Sequence, residues 1–206
     1  MKETEAMRIY AAIDMDACRK NIDAMLAKLR PETKMTLVIK TDAYGHGALP
    51  VARLGETLDR VWGYAVATSQ EAFSLRRNGI KKPILILGYT FEGDYPEMVA
   101  QEIRPVVFRY ETAEIFSRAA KEAGKTVHIH IGLDTGMHRI GFSVSVYIIG
   151  FLFEILPRKL PSMKWNSLPE ISCVLAGFAG KQMPGSISYL KTVCLSFYFM
   201  HEKERL

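Results

Sequence analysis

Two clusters of residues in this 206-residue sequence could carry chemistry. The first is Val38-Ile39-Lys40-Thr41-Asp42-Ala43-Tyr44-Gly45-His46-Gly47-Ala48. Its amine follows the apolar run Leu37, Val38 and Ile39, and burial among such neighbours disfavours the ammonium form. A desolvated amine keeps its lone pair for attack on a carbonyl carbon. Tyr44 offers a phenol that can donate to a phosphate oxygen. Gly45 and Gly47 allow a sharp turn and a close backbone approach to a ligand. The second cluster is Leu133-Asp134-Thr135-Gly136-Met137-His138-Arg139-Ile140-Gly141-Phe142. Arg139 has the planar fork that grips a carboxylate through two hydrogen bonds. Taken singly, each cluster has a plainer explanation. A strand-terminal lysine often snorkels to solvent, and a loop arginine is often only a surface charge.

The surrounding sequence sets the scaffold that would position these groups. Residues 8–15 have strand character. A helical pattern follows, with Asp14 or Asp16 as candidate N-cap and Ile22, Met25, Leu26 and Leu29 on one face. Residues 36–40 form a short apolar strand that ends in the lysine. Further strands are expected over 61–67, 83–89, 105–109 and 127–133. Helices are expected over 49–58, from a candidate cap at Ser69 to Asn78 and Gly79, over 95–101 and over 111–122. Apolar strands alternating with amphipathic helices imply a parallel sheet covered by helices. Six evenly spaced strands suit an incomplete (β/α)8 barrel better than an open two-sided sheet, although both share the βα unit.

Composition narrows the function classes. The net charge is +5, with the basic residues spread rather than gathered in runs, so nucleic acid is not an expected partner. Cys18, Cys173 and Cys194 show no ligand spacing, which suits a reducing, cytoplasmic setting. No apolar segment follows a basic one at the start, so no secretory leader is expected. The apolar run 144–156 contains Glu154 and stops at Pro157, too short to cross a membrane. No metal site is expected, because neither His46 nor His138 has a ligand-spaced partner. Both histidines read as supporting loop residues. Asp42 and Asp134 read as turn-formers.

Together the two clusters are far more specific than either alone. VIKTDAYGHGA resembles the pyridoxal-phosphate (PLP) lysine signature of alanine racemases, and LDTGMHRIGF resembles a second motif of that family. The segments RIYAAIDMDACRKNI and GYAVATSQEAFSLRRNGIKKPILILGY fit as well, so the resemblance covers residues 8–142. It implies the barrel of PLP fold type III and the interconversion of L-alanine and D-alanine for peptidoglycan. It also implies that Lys40 holds PLP covalently and serves as the base on the D-alanine side. By the same resemblance Tyr44 helps hold the cofactor phosphate. Arg139 sits near the cofactor's phenolic oxygen and the substrate carboxylate. The cofactor supplies the electron sink, and inversion needs two bases on opposite faces. Many relatives carry a lysine before the second motif that steadies the arginine; Gly132 stands there in this chain. Serine or other small amino acids are alternative substrates.

After Phe142 the character changes. Aspartate disappears, serine becomes frequent, and Pro157, Pro161, Pro169 and Pro184 break up the chain. The relatives implied by the resemblance are longer. They complete the barrel and add a mostly β domain that donates a tyrosine base across a homodimer interface. Nothing in 143–206 aligns with these parts, and Tyr147, Tyr189 and Tyr198 lie in no supporting context. The expectation is therefore a partial barrel domain over 8–142, with an irregular tail over 143–206 that is frameshifted or disordered. The C-terminal β domain is expected to be absent. Open sheet edges and a missing second base then predict poor stability and little turnover. A non-catalytic or vestigial PLP-binding fragment is the alternative.

Overall fold

The computed structural model describes residues 10–134, 138–143, 163–165, 174–175 and 195–199. Residues 10–14 are irregular, and α1 (Met15–Leu26) begins at once, so the strand expected over 8–15 is not formed where the chain is described. Asp14 explains this. Its carboxylate accepts the N–H groups of Asp16 (2.9 Å) and Ala17 (3.0 Å), which commits the chain to a helix. Ile22 and Leu26 are buried on α1, whereas Met25 is exposed, so the apolar face is narrower than its periodicity suggests.

The next elements alternate regularly. They are β1 (Met35–Val38), the short turn α2 (Lys40–Tyr44), α3 (Ala48–Glu56), β2 (Val61–Val66), α4 (Ser69–Arg77) and β3 (Ile84–Ile86). Then come α5 (Tyr95–Ala100), β4 (Ile103–Val107), α6 (Tyr110–Glu122) and β5 (Val127–Ile131). Helix α4 is capped by Thr68 rather than Ser69: Thr68 Oγ1 accepts the Glu71 N–H (3.3 Å), and the Glu71 carboxylate reaches back to the Thr68 N–H (3.3 Å). It ends at Asn78, followed by left-handed Gly79.

Strands β1 to β5 lie side by side in chain order, each parallel to the next. Sequential parallel order is what a barrel requires; a doubly wound sheet reverses its order midway. The two faces divide cleanly. Val61, Tyr64, Val66, Ile84, Ile86 and Val107 join the core shared with the helices. Ala65, Leu85 and Val106, with Val38, Leu87 and Phe108, form a separate cluster on the opposite, inner face. Helices on one face and side chains packed across the other describe the wall of an incomplete barrel.

Of the region expected as an irregular tail, only three short strands are described beyond Ser143. Strand β10 (Leu195–Phe199) pairs antiparallel with β5, β8 (Met163–Trp165) pairs with β10, and β9 (Val174–Leu175) pairs parallel with β1. Both outer edges of the five-stranded sheet are thus paired rather than open. Unpaired edge N–H and C=O groups are templates for any available strand, which accounts for the pairing. Among the described residues no helix is long and apolar enough to cross a membrane.

Candidate active site

Lys40 stands just beyond the C-terminal end of β1, the end at which barrels place their chemistry. It is half-buried, with Ile39 before it fully inside the core. The backbone then makes a single left-handed turn. Thr41, Asp42, Ala43 and Tyr44 have φ of 53°, 52°, 52° and 56°, and Gly45 follows at 88°. Each non-glycine residue in that region costs roughly 1–2 kcal/mol, so four in succession store several kcal/mol of strain. Strain of this kind persists only where the surroundings over-determine it, and it clusters at functional sites.

The surroundings that impose the turn are identifiable. The Ala43 N–H donates to the Ile39 carbonyl (2.9 Å), and the N–H groups of Gly45 (3.1 Å) and Gly47 (2.9 Å) donate to the Asp42 carbonyl. Asp42 Oδ1 accepts the Ala48 N–H (2.7 Å), so Asp42 shapes the turn as its type suggests. His46 Nδ1–H donates to the Ala43 carbonyl (2.9 Å), a supporting rather than chemical role. From across the sheet, Glu71 Oε1 accepts the Thr41 N–H (2.7 Å). Glu71 escaped the sequence reading because its capping-box pattern points only to its own helix.

The turn presents Tyr44 to solvent, 47% exposed, with its ring centroid 6.0 Å from Lys40 Nζ. Among the described residues Lys40 makes no ion pair. The left-handed turn thus brings amine and phenol to one side of the segment.

Arg139 lies in a second turn, between β6 (Leu133–Asp134) and β7 (Phe142–Ser143), which follows β5. Its side chain is exposed, and among the described residues no hydrogen bond or ion pair joins it to Lys40 or Tyr44. Strands β1 and β5 are the outermost of the five parallel strands. Asp134 closes this turn: Oδ1 accepts the His138 N–H (3.0 Å), and Oδ2 lies 3.4 Å from His138 Nδ1. Gly141 has φ 127°, and a Cβ there would meet the Asp134 nitrogen at 2.5 Å. At Gly132 a Cβ would meet Val106 Cγ1 at 2.7 Å. A larger side chain at 132 therefore requires Val106 to move.

The inner face of the sheet holds polar groups that the sequence reading passed over. Arg104 stacks on Trp62 with its guanidinium carbon 5.0 Å from the ring centroid, and Trp62 meets His130 edge-on at 5.7 Å. Among the described residues neither nitrogen of His130 has a hydrogen-bond partner. Burial, then Arg104 and His128, pushes His130 down to about 3; burial, then Arg104, pushes His128 down to about 4. The period-2 pattern of VHIHI is the signal that could have revealed them, since Val127, Ile129 and Ile131 join the helix-facing core.

Comparison with known proteins gives a consistent family. The family model described as "Alanine racemase, N-terminal domain" matches residues 13–152, ten residues past Phe142. The alanine racemase of Desulfovibrio desulfuricans is 42% identical over 134 residues, which is 65% of this chain and 36% of that protein. That of Methanococcus maripaludis is 40% identical over 136 residues, again 36% of its length. Among solved structures, alanine racemase from Clostridium difficile 630 superposes with a TM-score of 0.71 at 36% identity, covering 75% of this chain and 40% of that one. The enzyme from Streptomyces lavendulae gives 0.66 at 31%, covering 77% and 40%. The chain thus spans little more than a third of the length of the curated relatives it matches.

Proposed function

This chain belongs to the alanine racemase family, and from that premise we propose that it forms the cofactor-holding part of a PLP-dependent enzyme interconverting L-alanine and D-alanine. The observation that carries the proposal is Lys40 itself: an amine without an ion pair among the described residues, set on a strained turn at the C-terminal end of β1 beside the Tyr44 phenol.

These residues fit PLP by their chemistry. The cofactor needs an unencumbered amine for covalent attachment, which Lys40 offers, and a donor toward its phosphate, which Tyr44 offers. Arg139 would serve the cofactor's phenolic oxygen and the substrate carboxylate, reaching them from the turn after β5. Held by these residues, PLP would supply an electron sink for removal of the substrate's α-proton. Lys40 Nζ removes or returns that proton on the D-alanine face. Ile39 and Ala43 are buried and root the turn that carries the amine in the core. Inversion needs a second base on the opposite face, and no such base is identified among the described residues. We therefore propose that these 206 residues by themselves hold the cofactor and show little racemase turnover.

The test is reductive trapping. The full chain is incubated with PLP, reduced with borohydride and digested. A single mass gain of one reduced cofactor is expected at Lys40, and none in Lys40→Ala. Attachment at another lysine, or equal attachment in Lys40→Ala, overturns the assignment. Racemisation at the rate of a full-length relative would overturn the proposed impairment.

A further inference from the structure

We infer that Glu71 is a positioning residue for Lys40, holding the left-handed turn that presents the amine. The inference rests on the reading of Lys40 as the cofactor lysine. Glu71 sits in the first turn of α4, thirty residues from the segment it anchors. Its two oxygens are divided between two loops. Oε1 accepts the Thr41 N–H (2.7 Å), the first amide after Lys40; Oε2 accepts the N–H groups of Ala67 (2.7 Å) and Thr68 (3.3 Å) at the end of β2. The carboxylate thus ties the exit of β1 to the exit of β2, with the Thr41 and Ala67 bonds both at charge-assisted length. The Ile39 N–H, which donates to the Ala65 carbonyl (2.9 Å), is the last sheet bond before the turn. Beyond it, Glu71 supplies the tie from outside the turn.

Packing does not replace that tie. A cleft of about 220 Å³ separates the Asp42 side of the turn from α4, lined by Ile39, Asp42, Ala48, Leu49 and Glu71 among others. Only Ile39 and Ala43 of this segment are buried. Four consecutive residues in a disfavoured backbone region, three of them outside the core and one bordering this cleft, relax unless a directional bond holds the first one. Glutamine at 71 keeps the volume but has one acceptor oxygen for two loops, and it would set its NH2 group against a backbone N–H.

The experiment compares wild type, Glu71→Gln, Glu71→Asp and Thr68→Val as full chains. Thr68→Val removes the Oγ1 half of the capping box and spares the Thr41 bond. It therefore reports on helix capping alone. Three quantities are read: PLP affinity with trapping at Lys40, amide exchange over 41–45, and the melting temperature. Glu71→Gln is expected to weaken PLP binding about tenfold and to speed exchange over 41–45 about tenfold. Glu71→Asp, one carbon short, should behave likewise. Thr68→Val should lower the melting temperature without moving the other two. If wild type takes up no PLP, the cofactor reading fails, and exchange over 41–45 still decides whether Glu71 holds the turn. Exchange and affinity in Glu71→Gln within twofold of wild type, or changes in Thr68→Val of equal size, overturn the inference. Should Glu71→Gln not fold, Glu71→Asp carries the same comparison.

Discussion

The turn after β1 and the turn after β5 leave the same end of the parallel sheet, but different things hold them. The Lys40 turn is left-handed through four non-glycine residues and is anchored by Glu71 from another helix. The Arg139 turn is closed from within: Asp134 accepts the His138 N–H, and the Phe142 N–H donates to the Gly132 carbonyl (2.8 Å). An amine that must form a bond needs a fixed direction, which only over-determination from elsewhere in the fold can impose. A guanidinium that grips a carboxylate tolerates a locally made turn. The amine's placement is thus a tertiary property, while the guanidinium's is nearly a local one.

The strands beneath the two turns differ as well, and acid should expose the difference most strongly. β5 carries buried His130 and half-buried His128, both held below the usual imidazole range by burial and Arg104, whereas β1 contains no titratable group. Below 6.5 the unfolded chain takes up protons that the folded imidazoles refuse. Stability is therefore complete above about pH 6.5 and declines as pH falls toward about 4 for His128 and about 3 for His130. For the deeply buried His130 the loss is on the order of 1.4 kcal/mol for each pH unit crossed. Urea midpoints of wild type and His130→Gln, measured from neutral pH down into this window, should diverge in slope, with the variant flatter. Amide exchange should rise first along β5 and 138–142, while 41–44 stay protected. Simultaneous loss at both turns would mean that they share one source of stability.

A substitution at Gly141 attacks only the second turn. With φ 127° and the Asp134 nitrogen 2.5 Å from a built Cβ, alanine must push the β6 backbone aside. The expected cost is about 1–3 kcal/mol, read as a lower urea midpoint. PLP capture at Lys40 should stay within twofold of wild type. Loss of capture in Gly141→Ala would mean that the two turns are coupled through contacts absent from the described residues.

How much of this was legible in the sequence follows the same division. Lys40, Tyr44 and Arg139 were candidates by type, each with a plainer explanation on its own, and it is the resemblance of the two clusters taken together that singles them out. Strands β1 to β5 were legible in their apolar runs, a local signal. Asp42 and Asp134 were legible as turn-formers for the same reason. Glu71 was not: its pattern with Thr68 reads as an ordinary capping box, and nothing local shows that its other oxygen faces Thr41. The run 10–14 was misread as strand because its apolar residues outweighed the Asp14 cap. Trp62, Arg104, His128 and His130 were passed over because polar groups on alternate strand positions announce an inner face only once helices are known to cover the other. The pairing of β10 with β5 could not be foreseen, since it answers the needs of an edge rather than any pattern in residues 195–199.

The smallest expected effect is the one with an unusual sign. Thr41 is exposed and β-branched, and it sits at φ 53°, ψ 51°. Its link to Glu71 runs through the backbone N–H, so the side chain can be removed without touching that bond. Glycine adopts this conformation at little cost, and the relief of roughly 1–2 kcal/mol exceeds the roughly 0.5–1 kcal/mol lost to the freer unfolded chain. Thr41→Gly should therefore stabilise the protein by a few tenths to about 1 kcal/mol. By contrast, Glu114→Gly, in the middle of the right-handed α6, should cost about 1 kcal/mol. Thermal melts of the two variants against wild type read the opposite signs directly. If both lower the melting temperature, the segment from 41 to 44 is right-handed in solution. Glu71 would then have no strained turn to hold.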